Sequence, residues 1–274
     1  MSTPKEAART VRALPGEPKM LSLYLAELTS TAVDEVRRDP RRTVLLLPVG
    51  ATEPHGPHAP LSTDSIISAR VCDLAASEFV GDEEVRALIL PLLPYGVTRY
   101  GAAFAGAVSV TEATLHALVV DTCRSLAAQG FGRVVVVNNH FEPEHVAVLR
   151  RAVDDLRSDG VAAALLDLLR RRNVELLTAE FQAGECHAGR YETSIVLAER
   201  PDLVDTERMR TLPRVPVDMP AAIAEGRTDF VAMGMHDAYC GAPAEATEQE
   251  GMATLETLAG LLVELVRDVA TWEG

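Results

Sequence analysis

The chain has 274 residues, of which 47% are hydrophobic, 24% charged and only 4% aromatic. That is enough for one large globular core, built mainly from Leu, Val and Ala. The formal net charge of -14 argues against nucleic acid and anionic membranes as partners, because both need clustered Lys and Arg. A small-molecule substrate is the expected partner.

Residues 1–20 carry charges and prolines without an apolar signal core, and are expected to form a loose N-terminal arm. Residues 21–274 are expected to form a single domain. Leu21, Leu25, Leu28, Ala32 and Val36 have helical spacing, which predicts a helix over 21–38. TVLLLPVG at 43–50 is a short continuous apolar run and reads as a buried parallel strand. A helix is predicted over 64–79, a strand over 87–94, and a helix from Thr111, its N-cap, to Gln129, closed by Gly130. RVVVVNNH at 133–140 predicts the next strand. A helix follows at 143–158 with Pro143 in its first turn, then a strand at 161–169 and helices at 191–199 and 247–271. This alternation predicts an α/β fold, a three-layer sandwich with a mostly parallel central sheet.

Cys72, Cys123, Cys186 and Cys240 are widely spaced and form no CxxC pair, so no zinc ribbon or thioredoxin motif is expected. No apolar run approaches a membrane span. A cytoplasmic protein with reduced thiols is the expectation.

Ligands of parallel sheets bind outside the carboxyl ends of the strands, and the chain's polar clusters fall there. PVGATEPHGPHAPLSTD at 48–64 offers Glu53, His55, His58 and Asp64. Glu53 and His55 are two apart in an extended loop, so their side chains share a side. Carboxylate plus imidazole suits zinc, manganese or iron. VVVVNNHFEPEH at 134–145 places His140 and Glu142, again two apart, just after a strand. Asn138 and Asn139 are placed to orient ligands or to bond the loop backbone. Glu144 reads as a first-turn carboxylate complementing the helix dipole, and His145 as a solvated helix residue. GECHAGRYETS at 184–194 adds His187, in a loop of small residues, and Glu192, which suits either a ligand or a first-turn helix carboxylate. Cys186 reads as a small packing residue.

These segments, in this order, resemble the creatininase (creatinine amidohydrolase) family. The first cluster is similar to that family's PVGSTEQHGPHLPLGTD. PYGVTRYGAAFAGAVSV at 94–110 is similar to PYGxSxxHxxFPGTxSL, VVVVNNHFEPEH to a strand followed by NGH, ECHAGRYETS to HAGxxETS, and GAPAEATEQEG at 241–251 to GxPxxATxExG. The resemblance runs from about residue 43 to 260. It implies a three-layer creatininase-like fold with two divalent metal ions, Zn, Mn or Fe. Glu53 and His140 would bind one ion and His55 the other, with Asp64 bridging. Glu142 stands where many relatives have Gly and would complete the second ion's ligand set, as in creatininase proper. His187 would be the catalytic proton-transfer residue. Thr98 and Phe141 would contact substrate. A homo-oligomer, often a hexamer, is also implied.

The pocket departs from the pattern. Gly101 replaces the usual histidine, FPGT has become FAGA from Phe104 to Ala107, and the only tryptophan is Trp272. The expected activity is therefore hydrolysis of a non-peptide C–N bond, in a cyclic amide, lactam or formamide, by hydroxide generated between the two ions. The alternatives are a non-catalytic scaffold that inherited the fold and a metal-dependent hydrolase acting on a sugar-like ring.

Overall fold

The computed structural model describes residues 22–272, so the expected N-terminal arm lies outside the described residues. Four strands, β1 (Arg42–Val49), β2 (Val85–Ile89), β3 (Arg133–Asn138) and β4 (Ala162–Leu166), form one sheet. Its order is β2-β1-β3-β4 and every pairing is parallel. The helices are α1 (Ser30–Arg38), α2 (Thr63–Ser77), α3 (Glu112–Ala127), α4 (Pro143–Ser158), α5 (Arg171–Val174), α6 (Ala179–Gln182), α7 (Arg190–Glu199), α8 (Thr206–Met209), α9 (Met219–Ala224) and α10 (Glu248–Thr271). Among the described residues, no helix is long and apolar enough to cross a membrane.

The continuous apolar runs of the strands are explained by burial on both faces. Val44, Leu46, Val135, Val137 and Ala164 face one way, onto Ile67, Val71 and Ala75 of α2 and Leu258, Leu262 and Val266 of α10. Leu45, Leu47, Val134 and Val136 face the other way, onto Val36 of α1, Leu115 and Val119 of α3, and Leu149, Val153 and Leu156 of α4. This is the three-layer α/β arrangement expected from the alternation. Each fully buried Leu or Val contributes roughly 1.5–3 kcal/mol relative to exposure.

The predicted helix over 21–38 is shorter than its apolar spacing suggested. The helix starts at Ser30, where the Thr29 hydroxyl accepts the N–H of Ala32 at 3.3 Å. Before it, the backbone pairs with the edge of the sheet: the Ile89 N–H donates to the Leu23 carbonyl at 2.8 Å, and Tyr24 bridges Ile89. Leu25 opens a single 3-10 turn and Leu28 caps it, and both still pack on the side of the sheet covered by α1, α3 and α4. The strand predicted over 87–94 is Val85–Ile89; beyond it the chain turns along the end of β1, with Leu93 bridging Val49.

The chain runs from β1 outward to β2, then returns across the sheet to β3 on the other side of β1. The order therefore reverses between β1 and β3. Loops leaving the carboxyl ends of adjacent strands diverge at such a point and leave a crevice.

Candidate metal centre

The crevice between β1 and β3 gathers side chains from four places. Glu53 and His55 come from the loop after β1, Asp64 from the first turn of α2, His140 from the end of β3, and Glu192 from the first turn of α7. All are at most 3% exposed. His55 Nε2 lies 3.1 Å from Asp64 Oδ1, 3.5 Å from Glu192 Oε2 and 3.9 Å from Glu53 Oε1. His140 Nδ1 lies 3.0 Å from Glu53 Oε1 and 3.3 Å from Asp64 Oδ2. His187, in the loop before α7, places Nδ1 3.6 Å from Glu53 Oε1.

The opposite ring nitrogen of each histidine is held by a backbone carbonyl. His55 Nδ1 is 3.0 Å from the Glu53 oxygen, His140 Nε2 is 2.8 Å from the Val97 oxygen, and His187 Nε2 is 2.9 Å from the Pro54 oxygen. Those carbonyls can only accept, so the neutral rings carry their protons there. The free lone pairs of His55, His140 and His187 then point at carboxylate oxygens, which are acceptors too. Asp64 Oδ2 accordingly receives no hydrogen bond. Lone pairs facing lone pairs in a buried site need a cation between them, and a ring nitrogen fixed by a backbone carbonyl on its far side is the usual support for a metal-ligating imidazole.

The electrostatics point the same way. Burial pushes Glu53 and Asp64 up, but the nearby imidazoles, His140 beside Glu53 and His55 beside Asp64, outweigh it and leave both below the usual carboxylate range. Burial alone would depress His55, yet Asp64 and then Glu192 raise it to about 10. Burial is likewise overcome at His140 by Glu53 and Asp64, which hold it well above the usual imidazole value. The buried carboxylates thus favour positive charge at these two rings. Glu192 is pushed up to about 8 by burial, which His55 only partly offsets. His187 falls to about 4 through burial and then the nearby His55.

Among the described residues, three sets have donor atoms within 4.8 Å of one another: Glu53, Asp64 and His140; His55, Asp64 and Glu192; and Glu53, His55 and His187. The first two share Asp64. The oxygen and nitrogen donors fit zinc, manganese or iron.

The other expected site residues surround this cluster. Glu142 lines the same cavity, but its carboxylate accepts the Arg99 N–H at 2.8 Å and the Tyr100 N–H at 3.0 Å, and it belongs to none of the donor sets. After Asp64, the carboxylate nearest His55 Nε2 is that of Glu192, with Oε2 at 3.5 Å. Thr98 is 1% exposed and donates its hydroxyl to Glu53 Oε2 at 2.5 Å, so in this state it orients a carboxylate. Phe141 lines the cavity and packs edge-on against Phe181, with centroids 5.4 Å apart. His58 turns away to Thr193, with Nε2 2.8 Å from the hydroxyl.

His145 corrects the sequence reading, for it is fully buried rather than solvated. Its Nε2–H donates to Asn138 Oδ1 at 2.9 Å and its Nδ1 accepts the Val97 N–H at 3.2 Å. The Val97 carbonyl is the one that fixes His140. Asn138 and His145 thus hold the loop that orients a candidate ligand. A Cβ on Gly96 would stand 2.6 Å from the His145 ring, so the close approach of ring and backbone requires glycine there. Of the two asparagines, Asn138 takes the orienting role; it also donates Nδ2–H to the His140 carbonyl at 2.6 Å.

Sequence reasoning missed Glu180, whose carboxylate accepts the N–H groups of Tyr191 and Ala242, each at 2.7 Å. It ties the His187 loop to the chain before α10. It also missed Phe230, whose ring lies 4.3 Å from that of His187. Both come from stretches without a polar cluster, so no local signal marked them.

A family model described as "Creatinine amidohydrolase" matches residues 26–266. A "Mycofactocin precursor peptide peptidase" of Mycobacterium tuberculosis is 32% identical over 232 residues, covering 83% of this chain and 85% of that protein. A "Creatinine amidohydrolase" of Pseudomonas putida is 34% identical over 204 residues, covering 69% of this chain and 76% of that protein. Among solved structures, "Crystal structure of creatinine amidohydrolase (creatininase)" matches with a TM-score of 0.69 at 29% identity, covering 90% of this chain and 97% of that one. "Creatininase Mn" matches with a TM-score of 0.67 at 30% identity, covering 90% and 98%. The buried carboxylate–imidazole cluster thus sits in a chain that belongs to the creatininase family of amidohydrolases.

Proposed function

We propose that the chain is a divalent-metal-dependent amidohydrolase that cleaves an amide-type C–N bond outside the polypeptide backbone, in a cyclic amide or formamide. The observation that carries this reading is the set of imidazole nitrogens that face buried carboxylate oxygens around a shared Asp64. Glu53, Asp64 and His140 would hold one ion, and His55, Asp64 and Glu192 the other. When bound, such ions supply hydroxide near neutral pH and polarise the carbonyl under attack.

This chain's residues do the rest. Thr98 fixes one oxygen of Glu53, which leaves Oε1 facing His140 and His187. His187 carries its lone pair at Nδ1, because its Nε2–H is held by the Pro54 carbonyl at 2.9 Å. It would therefore accept at Nδ1 the proton that the attacking water gives up and pass it to the departing nitrogen. Tyr100, Phe141, Met219 and Phe230 line the cavity, restrict water and favour a compact apolar substrate group. The curated relatives whose names refer to a precursor peptide support a second reading, cleavage of a peptide bond by the same residues.

A hydrolysis screen tests both. The protein is reconstituted separately with zinc, manganese and iron and offered cyclic amides, formamides and short peptides. Activity in the first two groups is expected, with His140→Ala losing metal and activity together and His187→Ala losing activity while keeping metal. Full metal content in His140→Ala by elemental analysis would overturn the ligand assignment, and peptide cleavage alone would select the second reading.

A further inference from the structure

The cavity over the donor groups has a volume of about 20 Å³, room for about one water molecule. No amide substrate fits it in this state. Its lining includes Met219, the first residue of α9, and Phe230, both from the segment between α8 and α10.

That connection is tied down at both ends. Val215 bridges Gly241 in antiparallel fashion, and the Gly56 N–H donates to the Ala238 carbonyl at 2.8 Å. Between those ties the chain is mostly exposed: residues 224–228, 231, 232, 234, 236 and 237 face solvent. Phe230 points the other way and is 3% exposed. Its ring lies over His187 with centroids 4.3 Å apart and planes tilted by 34°, and it meets Tyr100 edge-on at 6.2 Å. The Phe230 N–H donates to the Tyr100 carbonyl at 3.0 Å, and the Phe230 carbonyl accepts the Met235 N–H at 2.8 Å. The ring is thus carried by a small turn that rests on the 97–101 loop.

Gly101 makes room for it. A Cβ at 101 would stand 3.2 Å from Pro54 Cδ and 3.5 Å from Phe230 Cε2, so any longer side chain there would compete with the ring. Gly226 and Gly234, at φ of +81° and +89°, have nothing within 4 Å of where a Cβ would be. Met233 and Met235 beside Phe230 are buried with it against Tyr100, Val217 and Ala222, so the turn itself is packed and the element free to move is the Phe230 side chain. An aromatic side chain that covers a polar site from a turn anchored at its ends has the layout of a gate that opens by side-chain movement.

We propose that Phe230 is the gate and size-selecting residue of this site. Its ring leaves His187 when substrate enters, and a flat group of about ring size takes its place between His187 and Tyr100. The substrate part of this statement rests on the amidohydrolase reading above; the gate part does not. Aromatic and other planar groups favour such tilted and edge-on contacts, so the selected substrates carry a planar ring or planar amide beside the scissile bond.

Phe230→Ala and Phe230→Leu in the full chain test the gate. His187 is carbethoxylated with diethyl pyrocarbonate and followed by peptide mass spectrometry, with the exposed His236 as internal reference. Relative to His236, labelling of metal-free Phe230→Ala is expected to be about tenfold faster than in wild type, with Phe230→Leu between them. In metal-loaded protein, extraction by dipicolinate speeds up in the same order. Across a series of amides, Phe230→Ala shifts the kcat/KM ratio toward bulky members, chiefly through KM. Thermal melts confirm folding; if Phe230→Ala does not fold, Phe230→Leu carries the measurement. Unchanged His187 labelling in a folded variant overturns the gate. A wild-type protein that binds no metal overturns the amidohydrolase reading instead, and the labelling still decides the gate.

Discussion

Metal binding should show first as stability. The ligands proposed here lie between residues 53 and 192 and belong to the β1 loop, α2, β3 and α7. An unfolded chain cannot bring them together, so the full binding free energy of each ion favours the folded state. At free metal 100-fold above the dissociation constant, one site contributes about 2.7 kcal/mol and two sites about 5 kcal/mol. For a chain of this size each kcal/mol moves the midpoint by about 2–4 °C, so a rise in Tm of roughly 10–20 °C is expected. The assay is calorimetry of chelator-treated protein titrated with zinc or manganese, with bound metal counted by elemental analysis. Asp64→Asn removes the carboxylate shared by both ligand sets and should abolish most of the rise. Glu192→Gln should lose about one ion and half of the rise. Glu142→Gln should keep both ions, because its carboxylate is engaged by the Arg99 and Tyr100 N–H groups. A wild-type response in Asp64→Asn would refute the shared-ligand scheme. Loss of an ion from Glu142→Gln with both kept by Glu192→Gln would refute the choice between the two glutamates.

Asn138→Ala removes the acceptor of His145 and loosens the Val97 carbonyl that fixes His140; a fall in metal affinity of about 10–100-fold is expected by competition with a chelating dye, and unchanged affinity would refute the positioning argument. His58 provides the pH dependence. Burial, and then the charge of His55, bring its pKa from 6.5 down to about 4. Between those values the unfolded chain is protonated at His58 and the folded one is not, so stability is lost as pH falls through this window, by up to about 3 kcal/mol. Denaturant titrations at pH 7 and pH 4 should show that share of the loss missing in His58→Gln, and identical losses in both proteins would refute it.

Much of this was legible in the sequence, for identifiable reasons. Strands buried on both faces must be continuous apolar runs, so TVLLLPVG and RVVVVN marked β1 and β3 without ambiguity. Pro143 at the first turn and Thr111 as N-cap fixed helix starts through local backbone chemistry alone. Alternating polar residues just beyond two strands, Glu53 with His55 and His140 with Glu142, pointed to one sheet edge because that alternation puts each pair on one side of an extended loop; Glu142 lines the cavity there, with its carboxylate on the Arg99 and Tyr100 N–H groups. These features depend on neighbours within a few residues.

The tertiary structure decided the remainder, because each answer depended on segments far apart in the chain. Whether Glu142 or Glu192 stands beside His55 follows from where the first turn of α7 docks against the β1 loop, which no local spacing encodes. His145 has the sequence setting of a surface helix residue, yet it is buried because the 96–97 backbone closes over it through Gly96. The segment before α1 has helical spacing but gives up its helix to pair with the exposed edge of β2. Phe230 carried no signal at all; it acquires meaning only where Gly101 leaves space for its ring above His187.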